Sequence, residues 1–368
     1  MTPKNFLAAV LALSAICSAQ PSQPAQKETP TVTYIRAGRL FDSTSDSYRE
    51  NVVIVVEGER IKSVQPAASA QVPSDAKVID LSKATVLPGL IDCHTHLGFR
   101  ADMYNPINHF KTTPFTQAFD AEKNARITLL AGFTTVRDVG SSPFMAVDLR
   151  NYINAGYIIG PRVVASGPGI SITGGHGDLN NFSPETSVTL FPAERNYQIA
   201  DGTDQVRHVV RAQIKYGVDV IKILASGGVL SKGDSPGAEQ FSFEELRVAA
   251  DEAHKAGRKI AAHAHGTKSI KDSILAGIDS IEHASLADDE DIRLAKEHGT
   301  YFDMDIYNDD YCWDKRPSSG SSRRTSTKRR WWGRSSVRLS RRPYKLESRW
   351  PLAPMRASIR MATTRSSS

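Results

Sequence analysis

The sequence predicts an α/β protein: a (β/α)8 barrel whose last β/α unit is missing or frameshifted, preceded by a small β domain of sandwich type. Three observations carry this prediction. A helical segment, a glycine and a short apolar run recur in that order six times between Ala131 and Asp305. Ahead of them, "VLPGLIDCHTHLG" (Val86–Gly98) reads as a buried strand ending in His-Thr-His. Thr33–Thr85 shows strand-like pieces broken by polar turns, with no helical period.

The repeats are "LLAGFTTVRDVG", "NAGYIIGPRVVASG", "KYGVDVIKILASGG", "KAGRKIAAHAHG", "LAGIDSIEHAS" and "EHGTYFDMDIY". Gly132, Gly156, Gly217, Gly257, Gly277 and Gly299 each follow a helical stretch, where a left-handed residue ends the helix. The runs after them are short and often rich in Val and Ile, as strands covered on both faces are. Ser242 and Glu245 stand at capping-box spacing ahead of a helix over Phe243–Ala256. Alternating helices and buried strands imply parallel pairing with right-handed crossovers. With the His-Thr-His strand first, seven strands are expected, one short of a barrel; a doubly wound open sheet is the alternative. In the β domain, "YIRAGRLFD", "NVVIVVEGERIKSVQP" and "AKVIDLSKATVLPG" read as an antiparallel set.

The expected organisation is a secretory leader over residues 1–19, a flexible linker over 20–32, the β domain over 33–87, the barrel over 88–311 and an aberrant tail over 312–368. "MTPKNFLAAVLALSAICSAQ" has one lysine, an apolar run too short to span a bilayer, and a small-residue exit at Ser18-Ala19. The mature chain is therefore expected to be soluble and secreted, periplasmic or extracellular, with no membrane span. Of the three cysteines, Cys17 lies in the leader, which leaves Cys93 and Cys312 and no disulfide framework. The net charge of +6 is unevenly divided. Residues 312–368 hold 16 Lys and Arg against 2 Asp and Glu, leaving 30 against 38 before them, and all four tryptophans lie in this tail.

Working residues of such barrels stand at the carboxyl ends of the strands. There the sequence places His94 and His96, Lys222 inside an apolar run, His263 and His265, and His283. The spacing of His94 and His96 points both side chains to one side of an extended chain. Neutral imidazoles delivered by several strands to one rim form a site for one or two divalent ions, zinc or similar. Burial beside a cation favours the neutral amine of Lys222, which carbon dioxide can carbamylate into an anionic ligand. "TGGHGDL" places His176 among glycines after the third strand, and "DMDIYNDDY" places Tyr307 after the seventh.

This ordered set of motifs, from "VLPGLIDCHTHLG" through "VIKILASGG" and "AAHAHG" to "SIEHAS", resembles the amidohydrolase superfamily over about residues 33–311. The resemblance is to its imidazolonepropionase-like branch, which includes Xaa-Pro dipeptidases. It implies a metallo-dependent hydrolase barrel acting on amide C–N bonds of a dipeptide or a small cyclic amide. It assigns metal binding to His94, His96, Lys222, His263 and His283, with Lys222 carbamylated and bridging in binuclear members. His176, His265 and Tyr307 fall on the substrate side.

The family pattern also requires an aspartate after strand eight, in a Gly-Thr-Asp-Ala-Gly context, to bind metal and carry the proton. The tail offers arginines where that strand belongs. A shift of reading frame near Cys312 accounts for this: codons allowed for Pro343–Thr364, read from each third base, permit "VQAGVKMALGTDAGVYPHGDN". The chain as written is expected to be inactive or poorly folded. The competing expectation is a non-catalytic secreted protein that binds metal or anions. Nucleic acid is not expected as a partner of an exported chain.

Overall fold

A computed structural model describes residues 31–99, 111–178, 182–190, 197–229, 231 and 233–304. The leader, Tyr307 and the basic tail lie outside these residues. The chain divides after Pro88 into two compact units.

In the first unit four strands, β1 (Val32–Leu40), β2 (Arg49–Glu57), β3 (Arg60–Pro66) and β4 (Lys77–Val86), form one sheet in the order β3-β2-β1-β4. Ala37, Leu40, Val52 and Ile54 make its buried cluster, with Ile35, Val56, Val64 and Val86 against them. Pairing is antiparallel from β1 through β3, but β4 runs parallel to β1. The expected antiparallel set is thus corrected to a mixed sheet. The connection over residues 67–76 carries the chain from the β3 edge to the opposite edge, so β4 enters in the β1 direction, and a polar connection does not advertise that crossing. A second sheet, which a sandwich needs, is absent among the described residues of this unit.

In the second unit helices and strands alternate as the sequence predicts. The strands are β5 (Leu90–Thr95), β6 (Phe133–Asp138), β7 (Arg162–Ala165), β8 (Val220–Leu224), β9 (Lys259–Ala264), β10 (Ser280–His283) and β11 (Tyr301–Asp303). The helices between them are α1 (Pro114–Leu130), α2 (Met145–Asn154), α3 (Pro184–Leu190), α4 (Thr203–Lys215), α5 (Phe243–Lys255), α6 (Thr267–Leu275) and α7 (Asp289–His298). All pairs are parallel and in chain order, as β5-β6-β7 and β8-β9-β10-β11. Past β7 the chain swings out through Gly167-Pro168-Gly169 and returns at Ile170, which pairs in parallel with Ile223 of β8. The Ile170 N–H donates to the Lys222 carbonyl at 2.8 Å, and the Leu224 N–H to the Ile170 carbonyl at 2.9 Å. Seven parallel strands in sequence order result.

Local chemistry explains the elements. All six helix-ending glycines have positive φ, between 67° and 99°, so the C-terminal signature holds at every repeat. Ser242 and Glu245 form the expected capping box on α5, and Asp288 and Asp291 form another on α7. Every residue of β8 is buried, as a strand covered on both faces must be. Asp219 and Asp279, each two residues after a glycine, brace the preceding strand: their carboxylates accept the Ala165 and Ile260 N–H groups at 3.0 and 2.9 Å.

A candidate metal centre at the strand ends

Five of the six predicted imidazoles within the described residues sit at or just past a strand's carboxyl end. His94 is in β5 and His96 follows it; His263 is in β9 and His265 follows it; His283 ends β10. His176 lies on the loop after Ile170. Ring centroids are 5.2 Å apart for His94–His96, 4.8 Å for His94–His283, 4.7 Å for His263–His283, 4.5 Å for His263–His265 and 4.3 Å for His176–His263. Six histidines separated by up to 189 positions thus form one continuous group. Nitrogen atoms of His263, His265 and His283 lie within 4.8 Å of one another. Lys222, 2% exposed, projects its charge onto His94, His96, His176 and His263.

The backbone at His283 is unusual. Its φ is 71°, that of Ala284 is 46°, and the Ala284 N–H closes a three-residue turn on the Glu282 carbonyl at 2.9 Å. Non-glycine residues in this region are strained and concentrate where a side chain must be aimed. The turn ends β10 at the point where the imidazole joins the others.

Electrostatics keep His94, His96, His176 and His263 neutral. Burial, then the Lys222 charge, pushes His94 down to about 3. Burial lowers His176 to about 4 and carries His263 well below the ordinary histidine value. His96 faces an open part of the rim, yet the protein around its inner side removes enough water to bring it to about 4. Several second nitrogens are already engaged: His94 Nδ1 with Glu282 at 2.8 Å, His96 Nδ1 with the Gly140 carbonyl at 2.8 Å, His265 Nδ1 with Ser285 Oγ at 2.9 Å. The Nδ1 partners of His94 and His96 turn Nε2 toward the group, and neutral imidazoles braced through the far nitrogen suit a zinc-type ion. The donor set fits a divalent metal.

Sequence reasoning missed the layer beneath. Arg137 of β6 donates to both Glu282 oxygens (2.8 and 3.1 Å), to Ser280 Oγ (2.8 Å), to the Cys93 carbonyl (2.6 Å) and to Asp303 (3.2 Å). Burial raises Glu282, but the His94 hydrogen bond and the charges around it outweigh this and hold it below the usual carboxylate range. With His94 neutral, Arg137 and then Lys222 are the charges responsible. Burial, reinforced by Glu282, lifts Asp303 to about 6. His94, Glu282 and Asp303 also group tightly enough to be considered for a metal, but the Arg137 guanidinium already supplies the cation there. Asp138, fully buried, accepts the Leu97 N–H at 2.7 Å, and burial lifts it to about 7. On the other flank, His176 Nδ1 meets Ser231 Oγ at 2.9 Å, and Ser231 donates to Asp234 at 2.6 Å. The available signal was charge inside buried strands, "TTVRD" and "SIEH".

A parallel α/β sheet whose carboxyl edge gathers histidines and a buried lysine defines a protein with a candidate metal centre. The chain belongs to the amidohydrolase family, which it matches over residues 85–322. It is 34% identical over 298 residues to ochratoxinase of Aspergillus niger, covering 77% of this chain and 60% of that protein. It therefore spans about three fifths of that relative's length. Among solved structures, a Xaa-Pro dipeptidase with bound methionine in the active site superposes with a TM-score of 0.76 at 33% identity, over 84% of this chain and 75% of that one. A prolidase complexed with N-methylphosphonate-L-proline gives 0.75 at 30% identity, over 84% and 74%.

Proposed function

We propose that this protein derives from a zinc-dependent hydrolase of amide C–N bonds, acting on dipeptides of Xaa-Pro type or on related N-acylated amino acids. The convergence of imidazoles from three strands with Lys222 at one sheet edge carries this reading. In it, His94 and His96 would hold one ion and His263 and His283 a second, with Lys222, once carbamylated, as a further anionic ligand. His176, His265 and Tyr307 take the substrate side. A divalent ion supplies Lewis acidity for attack of water on the amide carbonyl. The chain's own contribution is to keep the imidazoles neutral by burial, to fix them through their far nitrogens, and to place His176, backed by Ser231 and Asp234, beside them. Closure of the seven strands into a barrel requires an eighth, and the protein acts after export behind its leader.

The departure of the tail from the pattern the resemblance implies favours a second reading, a metal-binding product without turnover, because residues 312–368 hold no Gly-Thr-Asp-Ala-Gly stretch to supply a proton-carrying aspartate. One experiment separates them. The full chain, loaded with zinc, is assayed on a library of Xaa-Pro dipeptides and N-acyl amino acids, and its metal content is measured alongside. Hydrolysis abolished by His94→Ala supports the first reading. Bound zinc without hydrolysis of any member supports the second, and absence of bound metal overturns both.

A further inference from the structure

We infer that Glu282 is a positioning residue that sets the tautomer of His94, holding its proton on Nδ1 so that Nε2 keeps a lone pair for a cation. This rests on the metal-centre reading above and names the residue on which that site's geometry depends.

The argument follows the hydrogens. Arg137 has only donors to offer. Its Nη1 therefore donates to Ser280 Oγ at 2.8 Å, and the serine proton is left to donate to Glu282 Oε1 at 2.7 Å. Arg137 Nη2 donates to Oε1 at 2.8 Å and to Oε2 at 3.1 Å. Both oxygens of this fully buried side chain thus receive donors, and the guanidinium forms an ion pair with them, which keeps Glu282 ionised and makes it an acceptor only. The remaining partner, His94 Nδ1 at 2.8 Å from Oε2, must carry the hydrogen. A carboxylate on the far nitrogen of an imidazole fixes ring orientation and makes the near nitrogen a better ligand. Arg137 anchors the arrangement to β5 through the Cys93 carbonyl, 2.6 Å from Nε, and to Asp303 of β11.

The same reasoning makes Glu282→Gln an inverting substitution rather than a mild one. Ser280 and Arg137 both donate at the Oε1 position, so the amide oxygen settles there. The amide nitrogen then takes the Oε2 position and donates to His94 Nδ1. That forces the hydrogen onto Nε2, which can no longer bind a cation. Glu282→Asp keeps an acceptor carboxylate and the native tautomer.

The test uses the full chain, zinc as the probe, and two readouts independent of turnover. Zinc affinity is measured by competition with a chelator, with folding checked by circular dichroism and thermal unfolding. The His94 tautomer is read from nitrogen-15 chemical shifts of the metal-free protein, assigned by loss of the signal in His94→Asn. Expected are a proton on Nδ1 in the wild type, zinc affinity lowered 10–100-fold in folded Glu282→Gln, the range for loss of such an outer partner, and near-native affinity in Glu282→Asp. A folded Glu282→Gln protein with wild-type affinity overturns the inference, and so does a wild-type His94 protonated on Nε2. If Glu282→Gln does not fold, the wild-type tautomer decides. If the wild type binds no zinc, the metal reading fails, while the tautomer still decides this inference.

Discussion

The Asp138 carboxylate receives the backbone N–H of Leu97 at 2.7 Å, which ties the end of β6 to the residue following His96. Its other oxygen lies 3.4 Å from the Gly140 N–H, and the Gly140 carbonyl in turn receives His96 Nδ1. One buried carboxylate thus secures both backbone groups that hold His96. Asp138→Ala strands these donors, which costs about 1–3 kcal/mol for a buried group left unsatisfied. Chemical denaturation of variant and wild type measures the loss.

Asp138 also gives a signed pH dependence. Burial raises its native pKa from 3.8 to about 7, so the native state binds this proton more tightly than the unfolded chain does. The resulting stability is fully present below 3.8 and is lost as pH rises to about 7, with a slope of at most about 1.4 kcal/mol per pH unit. Asp138→Asn keeps an oxygen for Leu97 but removes the titration. The stability difference between the metal-free proteins moves in favour of the variant from pH 4 to pH 7. A difference that stays constant across that range contradicts this assignment.

Two glycines separate backbone strain from interference at the site. Gly299 has φ 72° and open space where a Cβ would stand, so Gly299→Ala costs roughly 1–2 kcal/mol through conformation alone and leaves metal affinity unchanged. At Gly228 a Cβ would fall 2.0 Å from the His176 ring. Gly228→Ala therefore displaces that imidazole, and on the hydrolase reading proposed above the change falls on substrate KM more than on the unfolding midpoint. Paired melting and kinetic measurements on both variants check the contrast.

Asp219 links β7, β8 and α2: it accepts the Ala165 N–H and the Arg150 guanidinium. Asp219→Ala leaves both donors short of a partner, and a loss of about 1–3 kcal/mol is expected. The equivalent brace at Asp279, held by Ile260, His254 and Lys259, gives a similar loss. Comparable values for the two variants are the expected result. A large effect at one and none at the other would show that only one brace bears strain.

Removing metal provides the remaining check. Dialysis of zinc-loaded protein against a strong chelator lowers the unfolding temperature, because an ion that binds only the folded state stabilises by mass action. His263→Ala, which deletes a nitrogen at the centre of the histidine group, removes most of that shift.

Much of the site was legible because the barrel-type repeat is local. A glycine that ends a helix and a short apolar run that follows it identify each strand, so His94, His96, His263, His265 and His283 could be placed at strand ends, and Lys222 within its strand, by position alone. His176 was harder, because the detour through Gly167-Pro168-Gly169 and the return at Ile170 depend on pairing with β8 across 53 positions. The mixed order of the first sheet was missed for the same reason: residues 67–76 do not encode which edge β4 joins.

The sequence by itself determined the number, order and direction of the seven parallel strands, the positions of their helix ends, and the residues that meet at the carboxyl edge. Backbone chirality and local hydrophobic period suffice for that. Only the tertiary structure decided which atoms face each other. His94 and Glu282 are 188 residues apart in the chain, and Arg137 reaches residues 143 and 166 positions away. Those pairings join side chains of β5 and β6 to side chains of β10 and β11, and no local pattern of residues specifies them. A charged residue inside a buried strand announces that a partner exists; the packing of distant strands selects the partner.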